Sequence, residues 1–402
     1  MRVQTTRSKQ VSAPLPAGGS PTERPLRVFV FLGHGFGAQR WTERWSRGQI
    51  PGLNEKLPYG YHLAANKDCV VDYSEDTNEN RFTELARRSM RRLLGCDLVH
   101  AWRNRKALFA ADIVWTHTEL EHLAVLALWQ YRRRERRPRL IAQNVWLFDR
   151  WQRFSTPRRW LYRYLLSQAD VLTFLSPENL NAARELFPRM RCEFLPFGVS
   201  WHSMVAPVRR AAHRPVRLVA LGNDMHRDWQ TLIAAAEPWS GCRLRIGSKN
   251  IDRRLTDHAQ NIEVIAPSSD REVEELYAWA DLAVVPLKPN LHASGLTVIF
   301  EAVLHGLPVV CTDTGGIRGY FSEEDVRYVP PQDPVALRRT LRDLAEDDSM
   351  RIAMATHAQA QMLSSDLSSR SFARRHYEIS RELVIDAPCN TDHGAGRRCL
   401  AN

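Results

Sequence analysis

Short apolar runs recur along the chain, each followed by a polar or glycine-bearing loop and then by a stretch with helical spacing. Runs at 26–32, 68–73, 111–115, 170–175 and 192–195 predict strands in the first half, the last of them an edge strand. Runs at 216–221, 243–246, 262–265, 282–286, 309–311 and 326–329 do the same in the second half. Helices are predicted between them at 80–94, 120–129, 158–166, 177–187, 230–237 and 270–280, then at 334–345, 350–363 and 369–384. Strands alternating with helices predict an α/β fold, in which mostly parallel sheets carry helices on both faces. The segment 201–215 lacks periodicity and carries proline and basic residues, which reads as a linker. The expected organisation is a flexible leader over 1–25, a Rossmann-like domain over 26–200, the linker, a second Rossmann-like domain with terminal helices over 216–385, and a polar tail over 386–402.

At 402 residues the chain exceeds one ordinary core and fits two domains. Its seven cysteines stand singly, at 69, 96, 192, 242, 311, 389 and 399, without a CxxC pair, so neither a disulfide framework nor a zinc site is expected. No run of about 20 uncharged apolar residues is present, and the N-terminus lacks a signal-peptide core, so the expected compartment is the cytoplasm. The formal net charge of +11 is uneven: residues 1–200 hold 32 Lys+Arg against 19 Asp+Glu, leaving 24 against 26 in the rest. A basic first half favours an anionic partner: nucleic acid, an anionic membrane surface or a phosphorylated substrate.

The stretch 292–316 concentrates the candidate chemistry. Small residues suited to close backbone approach lead into an apolar helix carrying one carboxylate, Glu301, and then through 306–308 into a buried strand and a Gly-Gly loop. Such an order of loop, helix and strand can cradle a phosphorylated ligand. A second glycine-rich loop, Gly33-His34-Gly35-Phe36-Gly37, follows the first predicted strand, where an acceptor or phosphate could approach backbone; a tight turn explains it equally well. His117 and Glu119 stand at the carboxyl end of the run 111–115. They are candidates for a general base or for substrate hydrogen bonding, and also for a helix start capped by Thr118. Most of the arginines at 87, 88, 91 and 92 share one helix face, six arginines crowd 132–139, and 158–166 interleaves arginines with aromatics. An amphipathic basic helix of the last kind suits an anionic lipid surface, although packing through its apolar residues is the simpler account.

Three patterns, Ser294-Gly295-Leu296-Thr297 through Glu301-Ala302, Gly306-Leu307-Pro308-Val309-Val310, and Thr314-Gly315-Gly316, carry a resemblance. With weaker echoes at 222–232, 176–187 and 196–199, the chain resembles GT-B glycosyltransferases of the family 4, or group 1, type found in bacterial exopolysaccharide and lipopolysaccharide assembly. The resemblance implies two doubly wound domains facing a central cleft, with a nucleotide-sugar donor bound mainly by the second. Glu301 matches the later glutamate of an E-x7-E pattern, which implies hydrogen bonding to ribose hydroxyls. Backbone amides of Ser294, Gly295, Leu296 and Thr297 would face the diphosphate, with the Gly222 loop beside them. Arg227, with Lys249 as a second candidate, would neutralise the leaving group. The earlier glutamate position is Ala293, and Asn223 stands where an arginine often occurs, so the sugar and the stereochemical course stay open. An inverting course would call on Glu119 or His117 as base, whereas a retaining one would leave His117 to orient the acceptor.

The resemblance and the charge asymmetry together imply a lipid-linked oligosaccharide acceptor and peripheral attachment to the inner membrane face, with no cofactor and no essential metal. A nucleotide-sugar epimerase of the same fold is the nearest alternative. A non-catalytic protein binding nucleic acid or another anion is a further one, although no nucleic-acid recognition motif is visible.

Overall fold

The computed structural model describes residues 24–50, 52–131, 137–207 and 211–384. The expected leader and tail, and residues 132–136 of the arginine run, lie outside these, apart from residues 24 and 25. Arg24 forms an ion pair with Asp112.

The first sheet holds β1 (Leu26–Phe31), β2 (Cys69–Tyr73), β3 (Ile113–Thr116), β4 (Arg139–Asn144), β5 (Val171–Phe174) and β6 (Cys192–Phe194), in the order β2-β1-β3-β4-β5-β6. The second holds β7 (Val216–Leu221), β8 (Cys242–Gly247), β9 (Ile262–Ile265), β10 (Leu282–Val285), β11 (Val309–Thr312) and β12 (Val326–Val329), in the order β12-β11-β10-β7-β8-β9. All pairings between these strands are parallel. In β3, β5, β10 and β11 every residue is buried, because helices cover both faces of the sheets; this is why those strands read as unbroken apolar runs.

The helices of the first half are α1 (Ala38–Ser46), α2 (Arg81–Leu94), α3 (Leu98–Arg103), α4 (Arg105–Ala110), α5 (Glu119–Trp129), α6 (Thr156–Leu166) and α7 (Pro177–Leu186). Those of the second are α8 (Trp229–Ala236), α9 (Asp270–Trp279), α10 (Leu296–Leu304), α11 (Pro334–Glu346), α12 (Asp348–Ser364) and α13 (Ser369–Val384). Among the described residues no helix is long and apolar enough to cross a membrane.

Several features depart from the sequence expectation: helices α1, α3 and α4 were not anticipated, and two further departures bear on the site. Strand β4 was not anticipated, since arginines precede it and it ends in buried Gln143 and Asn144. Helix α13, grouped above with the second domain, packs on the first. Trp115 of β3 donates its indole N–H to Ser380 Oγ at 2.8 Å, and Phe372 lies 5.4 Å from Tyr61 and 5.2 Å from Phe197 between ring centroids. The chain therefore crosses between domains twice. The two crossings lie side by side, with Val199 N–H donating to Leu367 O at 3.1 Å and Ser369 N–H to Val199 O at 3.0 Å.

In each doubly wound sheet ligands are expected beyond the carboxyl edge, where the strand order reverses. In the second sheet that point lies between β7 and β10. The loop after β7 carries 222–228 and the loop after β10 carries 286–295, and they meet through a bridge between Arg227 and Leu287.

Candidate active site

Arg227 is the centre of this meeting point. Its side chain is buried, its Nε donates to Leu221 O at 3.0 Å, and its Nη1 donates to Ser294 Oγ at 3.1 Å. Glycine at 222 is required here: its φ is +147°, and a Cβ would stand 2.0 Å from the guanidinium Nε. Burial lowers the Arg227 pKa, while Asp224 and Glu301 favour its charge. Gly295, at φ +83°, caps α10 without a side-chain hydrogen bond, and a Cβ there would stand 2.6 Å from Val285 Cγ1. The first turn of α10, with Leu296 and Thr297, thus opens beside the guanidinium. The Ser294 N–H is already taken by Asn290 Oδ1 at 3.2 Å, the Ser294 hydroxyl bridges Arg227 and Asp224, and Leu296 N–H, also expected to face the diphosphate, donates to Ala293 O at 3.3 Å.

Glu301 lies in the second turn of α10, and its Oε2 accepts from Tyr277 Oη at 2.8 Å. A loop of the first domain reaches over it. Leu53 N–H hydrogen-bonds the carboxylate, and a Cβ on Gly52 would approach Oε1 to 2.8 Å. The same loop is held by Asp270, whose Oδ1 accepts from Gly52 N–H at 2.7 Å. Burial pushes the Glu301 carboxyl up to about 7, against the lowering effect of these donors. Lys249 is exposed at the rim, with its backbone N–H on Asn223 Oδ1 at 2.7 Å. Asn223, where the resemblance suggests an arginine, therefore ties the loop after β7 to the loop after β8. The two loop glycines at 315 and 316 make room for protein groups. Positive φ at both lets Asn290 approach the first, and Glu178 and Ser176 of the opposite domain approach the second.

The candidates of the first domain are placed differently from expectation. His117 is buried, stacked on Tyr59 at 3.5 Å between centroids, and its Nδ1 is 2.9 Å from Tyr61 Oη. Burial drives its pKa down to about 3, so the ring stays neutral and is a weak base. Glu119 is buried too and accepts from Trp146 N–H at 3.3 Å; burial raises its pKa. Glu119 supports the loop after β4, whereas His117 is enclosed by Tyr59, Tyr61 and Gln143, so the two do not form an open acid–base pair. In the glycine-rich loop, Gly33 N–H donates to Glu121 Oε1 at 3.1 Å and Gly35 N–H to Asp76 Oδ1 at 2.9 Å. Two amides expected to face an acceptor or phosphate are thus already bound to carboxylates. His34 sits at 3.8 Å from Glu79.

The first-domain carboxylate that reaches the second domain's loops was not anticipated. Asp149, in the loop after β4, accepts from Leu291 N–H at 2.6 Å through Oδ1 and lies 2.7 Å from His292 Nδ1 through Oδ2. On the other side of the imidazole, Asp224 Oδ2 stands 3.6 Å from Nε2. Burial opposes charge on His292, but the two carboxylates outweigh it and raise its pKa. Burial likewise opposes the Asp224 charge, yet His292 and Ser294 hold that carboxyl well below its ordinary range. Asp149, His226 and His292 are also the group among the described residues whose ligand atoms converge closely enough to take a metal ion. No local pattern announces them, since they come from three separate loops.

Comparison with known proteins agrees with this architecture. Residues 204–347 match the family model described as glycosyl transferases group 1. A D-inositol 3-phosphate glycosyltransferase of Corynebacterium urealyticum is 34% identical over 98 residues, which cover 24% of this chain and 22% of that relative. The chain thus matches about a fifth of that relative's length. Among solved structures, sucrose-phosphate synthase from Thermosynechococcus elongatus superposes with a TM-score of 0.64 at 15% identity, over 90% of this chain and 100% of the other. Anabaena HepE in complex with UDP gives 0.64 at 13% identity, over 89% and 100%. The part of the chain that carries Arg227, Ser294 and Glu301 therefore matches the group 1 glycosyl transferase model, within a chain that has the two-domain GT-B fold.

Proposed function

We propose that the protein is a glycosyltransferase that moves a sugar from a nucleoside-diphosphate donor to a hydroxyl of a lipid-linked glycan at an anionic membrane surface. The carrying observation is the convergence of Arg227, Ser294 and the open first turn of α10 at the switch point of the second sheet. A buried guanidinium beside a helix N-terminus stabilises the charge that grows on a departing diphosphate. HepE, similar in fold, is known with UDP and with UDP-glucose, which favours a uridine nucleotide as the first donor to test. Transfer of this kind is driven by preorganised protein charge and needs no metal.

A thermal-shift screen tests the donor. A UDP-, GDP- or dTDP-sugar at about 100 times its Kd should raise the melting temperature by roughly 2–4 °C. No shift with any of them would overturn the transferase reading.

The membrane part of the reading is supported by the outer face of α2. Phe82 is 84% exposed and Leu93 74%, with Leu85 also exposed and Arg81, Arg88, Arg91 and Arg92 on the same helix. The arginine-and-aromatic helix α6 adjoins it, Arg158 donating to Leu93 O at 2.8 Å, and Trp160 is 69% exposed. Large apolar side chains ringed by arginines suit the headgroup region of an anionic bilayer. Beside α2 a cavity of about 1170 Å³ is lined by Arg40, Arg88, Arg91 and Arg92 and by Glu43 and Glu84. Arginines for a phosphate and carboxylates for hydroxyls suit a phosphorylated glycan head.

Co-sedimentation with phosphatidylglycerol vesicles is expected, weakening with salt. Replacing Phe82, Leu85 and Leu93 together by serine should reduce it about tenfold or more. Equal binding to neutral vesicles, or self-association through this face in place of vesicle binding, would contradict the assignment.

A further inference from the structure

We propose that Asp149, His226 and His292 form a binding site for one divalent transition-metal ion, Zn²⁺ in the first instance, which links the two domains across the cleft. Each residue offers a ligand atom, and these atoms lie within 4.8 Å of one another. The three come from loops after β4, β7 and β10, so the set exists only when the domains face each other as they do here.

The chemistry of His292 points to a ligand. Its Nδ1 stands 2.7 Å from Asp149 Oδ2, so one ion in place of the proton between them would be bound by both atoms. Its Nε2 is buried and has no hydrogen-bond partner. With an ion on Nδ1 the ring proton sits on Nε2, where Asp224 Oδ2 at 3.6 Å faces it as an outer carboxylate. The His226 ring stands edge-on to His292 at 4.7 Å between centroids, and Asp224 Oδ2, 3.6 Å from Nε2, adds a nearby carboxylate. Asp149 Oδ2 can ligate once the ion replaces the proton it shares with Nδ1, while Oδ1 keeps the Leu291 N–H. Two imidazoles with carboxylate oxygen suit Zn²⁺ or Co²⁺ better than Mg²⁺ or Ca²⁺, which prefer oxygen alone. Two nearby carboxylates offset the incoming charge, and the ion displaces the His292 proton.

The proposal goes beyond glycosyl transfer and does not depend on it, since transfer as described above needs no ion. An ion in this place would hold the cleft shut beside the Ser294–Arg227 pair, and so tie domain closure to metal supply.

The test uses the full chain, stripped with chelator and titrated at pH 8 by calorimetry, with melting temperature read in parallel. One Zn²⁺ per chain should bind above background and raise the melting temperature, Co²⁺ should bind with visible absorption bands, and Mg²⁺ should do neither. His226→Ala and Asp149→Asn should each weaken Zn²⁺ binding at least tenfold. Cys389, His393 and Cys399 are a separate source of ligands, and any uptake there persists in both variants. Absence of Zn²⁺ binding in the unsubstituted chain, or binding that both variants retain in full, overturns the site. UDP binding measured on the same samples separates this outcome from failure of the transferase reading.

Discussion

Arg227→Met should lower kcat by about 10²- to 10³-fold with the nucleotide sugar that the thermal screen identifies, while KM changes little. The expectation follows from how the guanidinium is held. Its Nε is fixed on Leu221 O and its Nη1 on Ser294 Oγ, and Gly222 leaves the space through which it passes. A donor fixed before the reaction contributes most when charge develops on the leaving group, so its loss falls on kcat. Lysine cannot replace it, because one ammonium cannot reproduce the forked pair of N–H groups. Arg227→Lys should therefore recover only a small part of the rate. Methionine retains most of the buried stem, so the melting temperature and circular dichroism of the variant check that the loss is local. A kcat within about threefold of the unsubstituted protein would remove Arg227 from the leaving-group role.

The second large effect is expected at Glu301. Glu301→Gln should weaken nucleotide binding by about 10- to 100-fold, the value of a hydrogen bond to a charged group. A pH series makes the test specific. The folded protein holds the Glu301 proton more tightly than the unfolded chain does, with a carboxyl pushed up to about 7. Its contribution to stability is therefore complete below the ordinary carboxyl range and is lost as the pH rises through about 7. Nucleotide affinity should run the opposite way, rising through the same window as the carboxylate becomes able to accept from two ribose hydroxyls. Glutamine at 301 should flatten both trends. Calorimetric titration of UDP between pH 5.5 and 8.5 reads the effect, and unchanged affinity in the variant would sink the ribose assignment.

The positions of Arg227, in a loop after a buried strand, and Glu301, inside an apolar helix, were legible in the sequence, while the roles proposed for them come from the family resemblance. Most strands were legible for a related reason. A parallel strand covered on both faces must be apolar at nearly every position, as β10 and β11 are. Strand β4 escaped because its last two residues are polar and yet fully buried, and no local signal distinguishes a buried Gln143 from an exposed one. The apolar face of α2 escaped for the converse reason. Phe82, Leu85 and Leu93 have the spacing of a core-facing stripe, and only tertiary structure reveals that no described residue covers it. His117 and Glu119 were placed correctly at a strand end, but periodicity does not report that Tyr59 and the loop after β4 close over them. Asp149, Asp224 and His226 could not be found locally at all, since their meaning lies in the distance between loops far apart in the chain.

The paired crossings at Val199 and Ser368 have a mechanical consequence. Two strands bonded edge to edge resist torsion more than one strand does, yet they still bend together about a line across their width. Relative motion of the domains is thereby biased towards a swing about one axis and away from a free swivel. An opening of the cleft about that axis would part Asp149 from His292 and leave the two crossings paired. A single backbone cut at either crossing also leaves the halves tethered through the other.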